Sequence, residues 1–158
     1  MRHLSLFLIV IGLSFGCSTD NTIDNTISAE EQLAIDIALI DNWLADTTIA
    51  DVIVHSSEIR YTINEVGTGT TTPRLSDVVE ANYEGRFLET GGVFDKGTGS
   101  AFILSQVIWG WQIMVPEMKE GGKITIYLPS LYAYGSRGNN SIPPNALLVF
   151  DIELIKVR

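Results

Sequence analysis

Few residues of this chain can do acid–base or nucleophilic chemistry. It holds two histidines, His3 in an apolar leader and His55 in a polar stretch, and one cysteine, Cys17. A serine or cysteine nucleophile needs a base within hydrogen-bond reach, so no Ser-His or Cys-His couple can form in the body of the chain. Zinc lacks its nitrogen and sulfur ligands for the same reason. Carboxylates are plentiful, but no two stand in the apolar context that would split them into an acid and a base. Gly67-Thr68-Gly69 lacks the Lys-Ser/Thr of a phosphate cradle and reads as a turn. What remains is a concentration of aromatic and branched residues between Phe102 and Val157, joined by short Gly-rich segments. It predicts an apolar recognition pocket whose chemistry needs no acid, base, metal or cofactor.

Several short elements must position that pocket. Ser28 followed by Glu30 and Glu31 has the form of a helix start. Leu33, Ile37, Ile40 and Leu44 then recur at helical spacing, with Asp36, Asp41 and Asn42 on other faces. This helix, 28–46, is expected to dock on its own domain, so the chain is expected to be a monomer, with pairing of two copies through the helix as the alternative. Ile59, Tyr61 and Ile63 alternate with Arg60, Thr62 and Asn64 as in a half-buried strand. Further strands are expected over 78–87, 102–104, 123–128 and 147–155, with a turn at Val93, Phe94 and Asp95. Residues 107–115 can form about two helical turns before Pro116 removes a donor. Strands around one brief helix predict an α+β domain, the helix covering one face of an antiparallel sheet.

At 158 residues the chain has room for one domain and an appendage, and 46% hydrophobic against 18% charged residues marks it as globular. The net charge of −9 argues against nucleic acid as a partner, since that affinity rests on basic side chains. Nine of the acids lie between Ser18 and Ile63 and keep that segment solvated. Arg2 and His3 precede an apolar run from Leu4 to Phe15, too short for a comfortable transmembrane span and ordered like a secretory signal. Cys17, directly after Gly16, resembles the lipid-accepting cysteine of bacterial lipoproteins. The expected organisation is a lipoprotein signal over 1–16, a polar tether over 17–27, a helix and linker over 28–57, and a domain over 58–158. The expected location is the cell envelope, with a lipid anchor in the membrane, outer membrane foremost.

Five motifs in the C-terminal part carry a resemblance. They are Asn82-Tyr83-Glu84-Gly85, the Val93 to Asp95 turn, Val107-Ile108-Trp109-Gly110-Trp111, Leu131 to Gly135, and the run from Ile142 through Pro143 and Pro144 to Phe150 and Leu154. In order and spacing they resemble the FK506-binding-protein family of peptidyl-prolyl isomerases. The resemblance implies a half-barrel sheet wrapped around the short helix, with proline bound between them. It implies Trp111 as the pocket floor and Tyr83, Phe94, Val107, Ile108 and Phe150 as walls. It gives Tyr134 the role of bonding a substrate carbonyl through its hydroxyl, Ile142 that of offering a backbone N–H, and Asp95 that of orienting the site. It implies proline-containing segments of unfolded or exported proteins as substrates and macrolides of the FK506 type as ligands. A chaperone or binding module with little turnover is the alternative. The sequence departs from the family at Ser100, where a large wall residue is common, predicting a more open pocket there. It departs also at Trp109, and in the loop from Gly135 to Ser141, which is short and lacks large apolar side chains.

Overall fold

The computed structural model describes residues 27–158. The leader and Cys17 lie outside the described residues. Helix α1, Ala29–Asp46, starts as the sequence predicts: Ser28 Oγ accepts the Glu31 N–H at 3.1 Å, and the Glu31 carboxylate accepts the Ser28 N–H at 2.9 Å. Six strands follow, β1 (Ile53–Val54), β2 (Arg60–Glu65), β3 (Val78–Phe87), β4 (Val93–Ile103), β5 (Lys123–Leu128) and β6 (Leu148–Val157). They form one antiparallel sheet in the order β1-β2-β5-β6-β3-β4. Helix α2, Trp109–Met114, sits between β4 and β5 in the chain. It is shorter than expected because Ile108 is still extended and Pro116 turns the chain into a 3-10 turn over Val115–Glu117.

The sheet is covered on its inner face and on half of its outer face, and the alternation of its strands shows why. From β6, Leu148, Phe150, Ile152 and Leu154 point to the inner face and pack with Ile126, Leu128, Val79 and Ala81 against Trp111 and Met114 of α2. Val149 points outward, where it joins Leu88, Tyr127 and Leu147 under Ile40 and Leu44 of α1. Full burial of each of these two helix residues stabilises the docked helix by about 1.5–3 kcal/mol. Further along β6 the outward positions become Asp151 and Glu153. There the uncovered face is a polar network, with Thr125 Oγ1 donating to Asp151 at 2.6 Å and Asn82 Nδ2 to Glu153 at 2.7 Å. Helix α1 thus docks on its own sheet, over the apolar half of the outer face.

Two charged residues read as solvent-facing are buried instead. Asp36 is 1% exposed, on the face of α1 that meets the domain, and accepts hydrogen bonds from Ser130. Arg60 is 7% exposed and forms a fork on Asp41 of α1, Nε to Oδ1 at 2.7 Å and Nη2 to Oδ2 at 2.8 Å. Ile63, read as core, is correspondingly exposed. Asp41→Ala is expected to cost about 2 kcal/mol in urea-induced unfolding, more than an ordinary surface pair, because it removes the two-pronged partner of a mostly buried guanidinium and leaves it only Glu58.

Strand β4 is longer than the turn and short strand expected, and it carries two bulges against β3. Ala81 faces Ser100 and Tyr83 faces Gly97, so β4 holds one extra residue there; Gly85 faces Asp95 and Arg86 faces Val93, which makes Phe94 a second extra residue. The first bulge has a direct effect on the site. Asp95 and Phe102 are seven positions apart and would lie on opposite faces of a regular strand. The extra residue restores the phase, so Val79, Ala81, Tyr83 and Gly85 face Phe102, Ser100, Gly97 and Asp95 in turn, all on one side.

Candidate functional site

At the mouth of the inner face lies a cavity of about 370 Å³, lined by Tyr83, Asp95, Phe102, Gln106, Val107, Ile108, Trp111, Tyr134 and Phe150. Trp111 is 4% exposed and forms its floor. Three rings meet the indole edge-on: Tyr83 at 5.3 Å between centroids, Phe102 at 5.7 Å and Phe150 at 5.8 Å. Tyr83 and Phe102 also meet each other at 5.6 Å. T-shaped pairs of this kind each add about 0.5–1.5 kcal/mol beyond their buried area and fix ring orientation. The floor is therefore a rigid aromatic surface.

The segment that enters α2 forms one wall. Gln112 Nε2 donates to the carbonyl of Val107 at 2.7 Å and reaches that of Ser105 at 3.3 Å, holding Val107 and Ile108 at the rim. Trp109, the first residue of α2, is 66% exposed beside them. On the opposite rim the Tyr83 hydroxyl donates to Asp95 Oδ2 at 3.0 Å. Burial, then the hydrogen bond and negative charge of Asp95, push the Tyr83 hydroxyl up to about 12. Burial and the Asp95 charge also raise Tyr134 above the ordinary tyrosine value. Tyr134 Oη has no hydrogen-bond partner among the described residues, and remains a donor available to a ligand.

Seven of the nine residues singled out in the sequence line this one cavity. Phe94 stands one ring back: its centroid is 5.5 Å from Phe150, which it buttresses edge-on, and 5.2 Å from Phe87. Ile142 does not line the cavity. It is 2% exposed within the core, and its N–H is taken inside its own loop by Asn139, Oδ1 at 3.1 Å and carbonyl oxygen at 3.2 Å. The expectation that Ile142 offers its N–H to a ligand is thereby corrected. The N–H of Ile108, at the rim, meets no acceptor among the described residues and is the better placed donor. Ser100 itself does not line the cavity, and Phe102, two positions on along the same face of β4, does. Gln106 is the other lining residue not singled out. Its polarity gave no signal, whereas Phe102 stood in plain view and was concealed by the bulge that reverses its facing.

Such a cavity can hold a compact apolar ring on an aromatic floor, with hydroxyl and N–H donors at the rim for carbonyl groups. Among the described residues no three His, Cys, Asp or Glu side chains converge on a metal-sized site.

Comparison with known proteins points the same way. The profile of the FKBP-type peptidyl-prolyl cis-trans isomerase family matches residues 69–155. The chain is 42% identical over 106 residues to the FKBP-type peptidyl-prolyl cis-trans isomerase FkpA of Aeromonas hydrophila, covering 65% of this chain and 39% of the relative. It is 44% identical over 99 residues to FK506-binding protein 1 of Saccharomyces cerevisiae, covering 58% of this chain and 86% of that protein. A crystal structure of a peptidyl-prolyl cis-trans isomerase from Pseudomonas syringae superposes with a TM-score of 0.70 at 32% identity, over 84% of this chain and 98% of the other. The chain spans about two-fifths of the length of the FkpA relatives that it matches. With a matched segment that runs from the loop before β3 nearly to the end of β6, an aromatic cavity within it and the same fold around it, the chain belongs to the FKBP-type peptidyl-prolyl cis-trans isomerase family.

Proposed function

We propose that the protein is a peptidyl-prolyl cis-trans isomerase that binds the proline of an X-Pro segment in the aromatic cavity and lowers the barrier to rotation about the preceding amide. The observation that supports this most directly is a rigid apolar floor at Trp111 with unpaired donors at its rim and no acid–base couple. The uncatalysed barrier is about 18–20 kcal/mol because the planar amide has partial double-bond character. Isomerisation therefore takes tens to hundreds of seconds, although the two isomers differ by only about 0.5–1 kcal/mol. Seating the proline on Trp111 moves the amide out of water and disfavours its charge-separated resonance form. The Tyr134 hydroxyl bonds a substrate carbonyl, the Ile108 N–H holds a neighbouring one, and Asp95 fixes the Tyr83 ring. Contacts placed for the twisted amide favour the transition state over both planar ground states.

In a proline-limited refolding assay the purified chain is expected to accelerate the slow phase. An unchanged slow phase with suppressed aggregation would instead make it a chaperone or binding module. Because no proton is transferred, kcat/KM is expected to stay flat between about pH 7 and pH 9.5, where both raised tyrosines remain protonated donors. Stability has a different profile. The folded Tyr83 holds its proton more tightly than an unfolded tyrosine, so its contribution is whole below 10 and is lost as pH rises toward about 12. A stability series across alkaline pH checks this sign, and a Tyr83→Phe variant should flatten the decline.

We infer further that the protein is exported and anchored through a lipid on Cys17, acting on proline-containing segments of proteins in the cell envelope. The charged-then-apolar order of residues 2–15, the lone cysteine and the polar segment after it support this reading. Incorporation of labelled fatty acid in the wild type but not in Cys17→Ser tests it. Packing of Ile40 and Leu44 on their own sheet supports a monomer, which a solution mass measurement checks. Accommodation of FK506-type macrolides would use the same cavity, and competition with a proline peptide reads it.

A further inference from the structure

We propose that helix α1 belongs to the catalytic scaffold, with Asp36 acting as a positioning residue that holds the segment from Ser130 to Tyr134 in place. The proposal rests on the reading of Tyr134 as a donor to the substrate carbonyl. Asp36 and Ser130 are each 1% exposed, and they meet 94 positions apart in the chain. Asp36 Oδ2 accepts the Ser130 N–H at 2.8 Å and the Ser130 hydroxyl at 2.6 Å, while Oδ1 accepts Gln32 Nε2 at 2.7 Å. No lysine or arginine pairs with this carboxylate among the described residues. An apolar side chain would serve α1 docking as well, since a buried charge is costly unless fully hydrogen-bonded. What the carboxylate adds is direction: two bonds on one serine fix where the loop begins.

From Ser130 the constraint is passed on by short bonds. A 3-10 turn over Ser130–Tyr132 is closed by the Tyr132 N–H on the Pro129 carbonyl at 3.0 Å and the Ala133 N–H on the Ser130 carbonyl at 2.9 Å. Tyr134 follows at once. The Tyr132 hydroxyl donates to the Ser57 carbonyl at 2.8 Å, a second tie to the N-terminal part of the chain. Both Asp36 and Ser57 lie before the matched family segment, 69–155, so the clamp is supplied from outside it. Catalysis depends steeply on placement, and a displacement of about 1 Å can cost on the order of a hundredfold in rate.

The test uses the full chain and four variants: Asp36→Ala, Asp36→Asn, Tyr134→Phe and the double variant Asp36→Ala/Tyr134→Phe. At a temperature where all are folded by circular dichroism, Asp36→Ala is expected to lower kcat/KM about tenfold. Asp36→Asn should recover most of it, because its amide oxygen can still accept from Ser130. In the Tyr134→Phe background Asp36→Ala should cause no further loss, since the group it positions is gone. Amides of Tyr132, Ala133 and Gly138 should exchange faster in Asp36→Ala, while those of β5 and β6 do not. Should Asp36→Ala fail to fold, Ser130→Ala, which removes one of the two hydrogen bonds, carries the same comparison. Lowered stability with unchanged kcat/KM, or a loss that adds fully to that of Tyr134→Phe, overturns the proposal. Unchanged turnover in Tyr134→Phe alone overturns the role of that hydroxyl, and hydrogen exchange then reads the anchoring separately.

Discussion

Trp111→Ala is expected to abolish measurable isomerase activity, with kcat/KM falling by about a hundredfold or more, and to cost about 3–5 kcal/mol of stability. Both effects have one origin. The indole is the shared partner of Tyr83, Phe102 and Phe150, each edge-on to it. Removing it takes away the surface on which a proline ring would rest and frees the three rings that fix the walls. Native domains are stable by only about 5–15 kcal/mol, so the loss of fold and the loss of site must be separated. Trp111→Phe does this. It keeps an aromatic floor of smaller area, and should retain the fold with an intermediate rate. Urea unfolding and peptide isomerisation measured on both variants decide the matter: near wild-type turnover in folded Trp111→Ala would mean that the proline binds elsewhere.

The second large effect is expected at Gly138. Its backbone is at φ 61°, ψ −158°, a region that residues with a Cβ rarely enter. A Cβ there would also run into the carbonyl oxygen of Ile142 and lie 2.8 Å from the carbonyl carbon of Pro143 and 2.9 Å from the nitrogen of Pro144. These are backbone atoms, and no side chain can swing aside to make room. Gly138→Ala is therefore expected to cost at least about 2 kcal/mol. The damage should reach the site, because the Gly138 N–H donates to the Tyr134 carbonyl at 3.2 Å. A drop of about tenfold in kcat/KM with the inner core intact is the expected result. Chemical-shift changes confined to the segment from Tyr134 to Ile142 would support it. An unperturbed loop would show that the chain can close it in another way.

The inner half of this structure was legible from residue order, and the outer half was not. The strands over 123–128 and 147–155 declare themselves because their branched residues recur with the period of a sheet, and Pro116 marks the end of α2. Tyr83, Trp111 and Phe150 were placed in one pocket by the family resemblance of the motifs that carry them, and all three line the cavity. What period and composition cannot carry is contact between distant segments. Asp36 and Arg60 look like surface charges until Ser130, 94 residues on, and Asp41, 19 residues back, are brought to them. Strand β1 is two residues long, too short to show any period. A bulge is an insertion relative to the partner strand, so Phe102 could be assigned to its wall only once its register against Val79 was seen. The N–H of Ile142 shows the same limit: the resemblance implied a donor there, but residue order does not show the Asn139 oxygen atoms already facing it.

The place of β6 in the sheet also sets the order in which the molecule can come into being. This strand is the last of the six in sequence and yet lies between β5 and β3, with β2 and β4 beyond them. Until residues 148–157 have been synthesised, the two halves of the sheet have no common member, and α1 has no Val149 to rest on. Cooperative folding of the sheet therefore waits for residues 148–157, since their pairing with β3 spans a long stretch of chain. Loss of residues 148–157 removes the seam of the whole domain. A protein of a family that speeds slow steps in other chains is itself built so that its own decisive step comes last.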